Sequence, residues 1–470
     1  MAWDTPYRLL KHELTQRRDE GCIIPASLRS RIEALDSERD GYDCARIVPL
    51  YEELMSLQED AALAAREPND LEAIRAQRPD GPRDLGWSPS DDEAFDRFHG
   101  AWTGRAVGCA LGKPSELIGL ARDADGSSTG RASVKAYLER RGDWPLRDYF
   151  SGKDLGDGLT LWCPQSQREN IRFMEPDDDI HYTLVALGCI EKHGPGFEWS
   201  HVARYWLDHL PIYSICTAEA QAIETFQRHS TRPGDWHCWA TPELTRRYRN
   251  PYREWIGAQI RADGWAWVAA GKPELAAELA YRDACWTHER NGIYGEMMFA
   301  AMQAAAFVER DPRRLVEIGL SEIPSACRLA ELVGRLLSWI ELSPDFEACM
   351  ARVEAELAGV YPVHTLDNAL VCVLSLFYGG MDTDGSIAIA VMCGHDTDCN
   401  GATVGSIVGA ARGRSAFGGS LAVRLNDTIK PSMIGMGGDG SGALSMSDLA
   451  RRTLQQFRVV DAYHRAKRLC

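Results

Sequence analysis

The sequence predicts an all-α protein. Over residues 201 to 357 apolar residues recur at helical spacing between prolines, and the alternation that marks β-strands is scarce throughout the chain. The segment from 378 to 413 adds a helical run in which Val404, Ile407 and Val408 share one face. We therefore expect helices to supply both the core and the framework of any site.

Composition and charge narrow the classes of function. The 470 residues are 45% hydrophobic and 26% charged, and no apolar run approaches the roughly 20 residues that a membrane-spanning helix needs. A net charge of −16 would repel a nucleic acid. The N-terminus lacks the apolar core of a secretory signal, and the 14 cysteines include no CxxC pair. We expect a cytoplasmic protein with reduced thiols and with neither a membrane nor a nucleic-acid partner.

The first 90 residues predict a helical N-terminal extension followed by a linker. Modest apolar stripes run through a strongly charged sequence, and four prolines then interrupt a polar stretch between residues 67 and 92. Nothing in the extension indicates catalysis. We place the domain boundary near residue 90, with the main domain over residues 91–470.

The main domain opens with a helix that carries a face of glycines. Gly104, Gly108 and Gly112 recur at four-residue intervals, which lets another backbone come close. Pro114 then ends the helix and Glu116 follows. By residue type alone this glutamate is typical of a solvated loop.

A polar segment and an acidic triplet come next. Residues 120 to 165 are rich in glycine and aspartate with little periodicity, which predicts a long surface loop. Asp177, Asp178 and Asp179 then directly precede an apolar helix. Three adjacent acids exceed what a helix cap needs. Either they form a solvated acidic N-terminus, or two of them converge on a cation.

Two helical segments mix aromatic residues with Arg, His or Asn beside glycine, over residues 250 to 263 and 285 to 302. This composition is typical of a pocket for a planar or ribosyl ligand. An aromatic seam between core helices has the same composition, and the residue types alone do not separate the two.

An acidic loop precedes the last apolar helical run. Asp396 and Asp398 alternate across Thr397, and two carboxylates so close repel each other unless a cation lies between them. Hard divalent cations prefer such oxygen ligands. The alternative is that Asp398 or Asn400 caps the helix. A near-copy, Asp382-Thr383-Asp384, also precedes a helical run, so spacing does not choose between the two loops.

These segments together resemble the ADP-ribosylglycohydrolase family over roughly residues 93 to 455. Four motifs carry the resemblance in the family's order: GRAVGCALGKPSE, DDDI, the pair Thr287-His288, and GHDTDCNGATVGSIVGA. The resemblance implies an orthogonal all-α bundle with two divalent cations in a central cleft, Mg²⁺ first and Mn²⁺ or Ca²⁺ as alternatives.

The resemblance also implies a role for each matching residue. The implied metal ligands are Asp177, Asp178, Asp179, Asp396 and Asp398. The implied catalytic groups are Glu116 and Asp179. From residue type, we expect Arg261, Thr287 and His288 to contact ribose or phosphate, and Trp255 or Tyr294 to stack on a base. The resemblance therefore favours the loop with Asp396 and Asp398 as the metal site. We expect the near-copy at Asp382 to Asp384 to be a structural cap.

Four positions depart from the family pattern. Asp177 stands where the family usually has Thr or Ser, and Ile180, Ile256 and Cys399 replace a Thr, an Asn and a metal-ligating Thr. A thiol is a poor ligand for Mg²⁺. We therefore expect the Cys399 side chain to point away from the acidic cluster and Asp177 to supply the missing oxygen. The alternative is a cation that accepts sulfur.

The implied activity is metal-dependent hydrolysis of an N-glycosidic bond to ribose, in an ADP-ribosylated substrate. One alternative is an N-glycosidase that acts on a free nucleoside or nucleotide. Another, of a different class, is a non-catalytic protein that binds ADP-ribose. In each case the partner is a small ligand of ADP-ribose or nucleoside type.

Overall fold

The computed structural model describes residues 4–124, 126–156, 158–230, 239–435 and 442–467, and this part of the chain confirms the all-α prediction. Its α-helices are α1 (Pro6–Asp19), α2 (Ala26–Glu33), α3 (Ser37–Asp40), α4 (Cys44–Met55), α5 (Ala61–Arg66), α6 (Leu71–Gln77), α7 (Asp91–Gly112), α8 (Glu116–Gly119), α9 (Gly130–Arg141), α10 (Asp178–His193), α11 (Trp199–His209), α12 (Thr217–Ser230), α13 (Pro242–Arg247), α14 (Ala262–Val268), α15 (Pro273–Ala284), α16 (Asn291–Ala306), α17 (Pro312–Leu320), α18 (Arg328–Leu342), α19 (Phe346–Glu356), α20 (Thr365–Tyr378), α21 (Thr383–Met392), α22 (Thr397–Arg412), α23 (Ser420–Arg424) and α24 (Met446–Lys467).

Short 3-10 turns and one pair of strands complete the described elements. The turns are Lys113–Ser115, Pro164–Ser166, Ile212–Ser214, Gln259–Arg261 and Arg414–Ala416. The strands β1 (Thr428–Ile429) and β2 (Leu444–Ser445) pair in antiparallel fashion. Within the described ranges, no helix combines the length and the apolar character needed to cross a bilayer.

Helices α7 and α22 form the centre of the main domain and pack against each other in opposite directions. Their contact is made of glycines: Gly104 faces Gly405 and Gly108 faces Gly401. A Cβ atom on any of these four glycines would lie well inside contact distance of the facing backbone. The predicted glycine face therefore serves a close approach of two buried backbones.

This contact brings the loop after α7 to the start of α22. The Thr397 hydroxyl donates to the Gly112 carbonyl oxygen at 2.9 Å, and the Ser115 hydroxyl donates to Thr397 Oγ1 at 3.3 Å. Glu116 follows directly on this turn. The packing of two helices thus places Glu116 beside Asp396 and Asp398.

Helix α1 and Glu20, the residue after it, contact the segment around Arg253 through buried ion pairs. Arg253 pairs with Glu13 at 2.8 Å and with Glu20 at 2.6 Å, and all three side chains are buried. Gln16 Nε2 donates to Glu254 Oε1 at 2.9 Å. Breaking a buried pair leaves an uncompensated charge, which is strongly destabilising. Helix α1 is therefore fixed against the segment that contains Arg253.

The prediction of a long surface loop over residues 120 to 165 is wrong in one part, because this segment contains helix α9. Val134, Tyr137 and Leu138 are buried, and the helix ends at Gly142, whose φ of +69° is left-handed. Three apolar positions within a polar sequence give too weak a periodicity to predict the helix.

The near-copy of the acidic loop caps helix α21. The Asp382 carboxylate accepts from the Gly385 N–H at 2.7 Å. Asp382→Ala should lower the free energy of unfolding by about 1 kcal/mol, because this cap is lost. It should leave metal binding unchanged. Chemical denaturation and a Mn²⁺ titration measure the two effects, and loss of Mn²⁺ binding by a folded variant would show that this loop is the metal site.

Candidate metal centre and ligand cavity

A cavity of about 510 Å³ lies at the start of α22 and α10. One end is acidic and contains Glu116, Asp177, Asp178, Asp396, Asp398 and Cys399. Another part of the lining is aromatic and contains His12, Tyr213, Tyr252, Trp255 and Tyr361. Its volume lies within the range of small-ligand sites.

Glu116, Asp396 and Asp398 converge at the acidic end. One carboxylate oxygen from each lies within 4.8 Å of the other two. Asp396 is the N-cap residue of α22, yet its side chain makes no capping hydrogen bond, and its buried Oδ1 has no hydrogen-bond partner among the described residues. Neither Asp398 nor Asn400 is the cap residue. The capping alternative therefore does not account for this loop.

The electrostatics of these three carboxylates favour a cation. Burial, and then the neighbouring carboxylates, raise the pKa of Glu116 and of Asp396 well above the usual range. Burial and Asp177 raise the pKa of Asp398 to about 6. Each shift reports that negative charge is costly here, and a divalent cation offsets that cost. The cluster is thus able to bind metal.

His395 fixes the backbone of the acidic loop through contacts with Asp367 and Gly119. Its backbone has a φ of +60°, its Nδ1 lies 3.1 Å from Asp367 Oδ2, and its N–H donates to the Gly119 carbonyl oxygen at 2.9 Å. Asn368 Oδ1 accepts from the Asp396 N–H at 3.2 Å. These contacts orient the loop without using the Asp396 or Asp398 carboxylates.

The acidic triplet has three different environments. Asp177 Oδ1 accepts the Asp179 N–H at 2.9 Å, and Asp177 Oδ2 lies 2.5 Å from Lys113 Nζ. Asp179 is fully buried behind the cavity and pairs with Arg105 at 2.7 Å. Asp178 lines the cavity, and burial, with Asp177 and Asp398, raises its pKa to about 8. A single helix start therefore points adjacent acids in different directions.

The Cys399 thiol faces the cluster. Its Sγ and one oxygen each of Asp179 and Asp398 all lie within 4.8 Å of one another, and Cys399 lines the cavity. The expectation that the thiol points away is wrong, because the first turn of α22 directs Asp398 and Cys399 alike towards the start of α10. Asp177 accepts from a protein donor at each of its oxygens, one of them in the ion pair with Lys113, so its carboxylate charge is already compensated.

Three of the expected substrate contacts lie in a buried network directly behind the cavity lining, which the network reaches through Glu219. Arg261 pairs with Asp283 at 2.6 Å and also with Glu219, and it donates to Thr287 Oγ1 at 2.8 Å. His288 Nδ1 lies 2.8 Å from the same hydroxyl. Their contact with a substrate stays a prediction, and residue type does not distinguish a compensated core arginine from one that binds a ligand.

The two aromatic candidates have different positions. The Tyr294 hydroxyl donates to the Pro68 carbonyl oxygen, and its ring is buried outside the cavity lining. Its expected contact with a base stays a prediction. Trp255 lines the cavity and stacks on Tyr361, with ring centroids 4.6 Å apart and an interplanar angle of 11°. Of these two residues, Trp255 is the one that a planar ligand in the cavity can contact.

The N-terminal extension contributes to the cavity, which the sequence did not indicate. Asp4, Arg8 and His12 line it, and the His12 ring meets Trp255 edge-on at 5.3 Å. Burial lowers the pKa of His12 to about 4, so the imidazole is neutral at pH 7. Arg8 and His12 are one helical turn apart, but this spacing alone carries no signal of a distant partner.

The chain is similar to known proteins in the region that contains the acidic motifs. The family model described as ADP-ribosylglycohydrolase matches residues 90–458. Among solved structures, an "ADP-ribosylglycohydrolase-related protein complex" is similar to this chain at 18% identity and a TM-score of 0.49, over 78% of this chain and 99% of that chain. No curated protein gives a significant match. The matched family range contains the acidic end of the cavity and leaves helix α1 outside it.

Proposed function

This chain belongs to the ADP-ribosylglycohydrolase family, and from that premise we propose that it hydrolyses an N-glycosidic bond to ribose in an ADP-ribosylated substrate, with a divalent cation. The family consists of glycohydrolases for ADP-ribose linkages; the type of bond and the cation are our proposal. The observation that carries it is the convergence of Glu116, Asp396 and Asp398 at one end of a ligand-sized cavity.

These three carboxylates fit a hard cation, and we assign Mg²⁺ to them, with Mn²⁺ or Ca²⁺ as alternatives. The supporting observation is the buried, unpartnered Oδ1 of Asp396 within a set of oxygen ligands. When bound, the cation would hold the ribose hydroxyls and increase the acidity of a water molecule.

Asp178 is our candidate for the general base. The resemblance implied Glu116 and Asp179, but Asp179 is buried against Arg105, whereas Asp178 lines the cavity next to the cluster. A carboxylate in that place can accept a proton from an attacking water. In this proposal Glu116 is a ligand of the cation, together with Asp396 and Asp398.

The extension of residues 1–90 completes, in this proposal, the family domain of residues 91–470. His12 adds an edge to the wall formed by Trp255 and Tyr361, and this wall receives the planar base of the substrate. Because each described cysteine is a free thiol, the protein is suited to the reducing cytoplasm.

Trp255→Ala should weaken ADP-ribose binding by about tenfold or more, because stacking of a base on an aromatic ring contributes about 1–3 kcal/mol. Isothermal titration calorimetry measures the affinity. Trp339→Ala is the matched control, since Trp339 is a partly buried tryptophan that packs on the core outside the cavity. Equal affinities in the two variants would remove Trp255 from the binding site.

A second candidate is hydrolysis of a free nucleoside or nucleotide. It is favoured by the buried network around Arg261, which leaves Arg8 and Lys113 as the arginine and lysine side chains of the described cavity lining. A substrate with fewer phosphates needs fewer such partners. Non-catalytic binding of ADP-ribose, the third possibility, is favoured by the Cys399 thiol in the cluster.

Turnover of a substrate panel separates these candidates. The panel contains ADP-ribosyl-arginine, ADP-ribosyl-serine, NAD and nucleosides, each with Mg²⁺ and with a chelator. We expect Mg²⁺-dependent release of ADP-ribose from a protein-type linkage. Turnover of nucleosides alone would support the second candidate, and ADP-ribose binding without any turnover would support the third.

A further inference from the structure

Lys113 reaches back from the turn after α7 into the acidic end of the cavity. Its Nζ lies 2.5 Å from Asp177 Oδ2 and 2.7 Å from the Pro176 carbonyl oxygen. The side chains of Lys113 and Asp177 are only 8% and 5% exposed. This is a buried ion pair inside the site, a short distance from the carboxylates that we assign to the cation.

The position of Lys113 is fixed by its surroundings. The Trp162 Nε1–H donates to the Lys113 carbonyl oxygen at 2.5 Å, and Lys113 Nζ lies 5.9 Å from the centroid of the Trp162 ring. Lys113 Nζ contacts two oxygens, and one of them is a carboxylate oxygen of Asp177. This buried ion pair places a fixed positive charge in the site.

The two acidic motifs consequently differ in their need for metal. In the first, Asp177 pairs with Lys113 and Asp179 pairs with Arg105. In the second, Asp396 and Asp398 have no lysine, arginine or histidine within ion-pair distance in the described ranges, and neither has Glu116. Fixed cations thus already pair with two of the three acids of the first motif, and Asp178 is the third. The second motif has no such counter-charge among the described residues.

We infer that Lys113 is a built-in cation that takes the place of a second divalent ion, so that this protein holds one divalent cation where the family resemblance implies two. The inference rests on the proposed metal-dependent function. A second ion at Asp177 would share that carboxylate with the ammonium, and the two positive charges so close together would repel each other. Because an ammonium has three N–H donors and the described contacts use two, one remains for a substrate oxygen.

Metal stoichiometry tests the inference without using activity. Mn²⁺ binding to the full chain is measured by equilibrium dialysis and calorimetry for the wild type, for Lys113→Met and for Lys135→Met. Lys135 is the matched control, since it pairs with Glu347 at 2.6 Å outside the cavity. We expect one Mn²⁺ per chain for the wild type and the control, and two for Lys113→Met.

Lys113→Met leaves the buried Asp177 carboxylate without its partner, which can prevent the variant from folding. A double variant without either charge keeps the test decisive in that case. Lys113→Ser with Asp177→Thr removes both charges and introduces the hydroxyl that the family usually has at position 177. It should also bind two Mn²⁺. Two ions on the wild type, or one ion on both altered forms, would overturn the inference alone. A wild type that binds no divalent cation would overturn the proposed function as well.

Discussion

Asp398→Asn should weaken divalent cation binding by more than about 100-fold and abolish hydrolysis. Asp398 belongs to two of the converging groups, one with Glu116 and Asp396 and one with Asp179 and Cys399. The amide keeps the volume of the side chain but removes its charge. Loss of a supporting partner of a metal ligand costs about 10- to 100-fold in affinity, so loss of a shared ligand should cost more.

Calorimetric titration with Mn²⁺ measures this effect, and Asp382→Asn is the control. Both residues lie at the start of a helix in an Asp-Thr-Asp sequence, but Asp382 caps α21 outside the cavity. The control should titrate like the wild type. Retention of full Mn²⁺ affinity by a folded Asp398→Asn variant would exclude the assigned site.

Gly108→Ala should have the largest effect on stability. The new methyl group would meet the carbonyl of Gly401 across the contact between α7 and α22, and a helix backbone cannot move aside as a flexible side chain can. Overpacking costs about 1–3 kcal/mol and occasionally more, and we expect the upper part of that range. Separation of the two helices should also move Glu116 away from Asp398 and weaken metal binding.

Gly334→Ala provides the comparison, because Gly334 is exposed within α18 and a Cβ there would meet nothing within 4 Å. This change should raise stability by up to about 1 kcal/mol, the difference in helix propensity between the two residues. Urea denaturation of both variants measures the free energy of unfolding. Similar stabilities for the two would show that the glycine contact leaves room for a methyl group.

Local patterns made part of the fold and the site predictable. Helical periodicity predicted the all-α class, and the four-residue spacing of Gly104 and Gly108 predicted a close backbone contact. Both patterns can be recognised in the sequence because each follows from the geometry of a single helix. The alternation of Asp396 and Asp398 indicated a cation for a local reason as well: two neighbouring carboxylates repel each other wherever the loop lies.

The remaining features depend on contacts between distant parts of the chain. Arg261 and His288 have residue types that suit a ligand, but carboxylates from other helices enclose them in the core. The partnership of Lys113 with Asp177 and the contribution of His12 to the cavity arise only from tertiary packing. For the same reason, the sequence could not show which acid of the triplet faces the cavity.

Diffraction from crystals grown with Mn²⁺, recorded at the manganese absorption edge, locates the bound cation directly. We expect one anomalous peak, located among the carboxylates of Glu116, Asp396 and Asp398, with Lys113 still bound to Asp177. A protein that takes up no Mn²⁺ at these three carboxylates, or that binds it only elsewhere, would contradict the assignment of this cavity as the metal-dependent site.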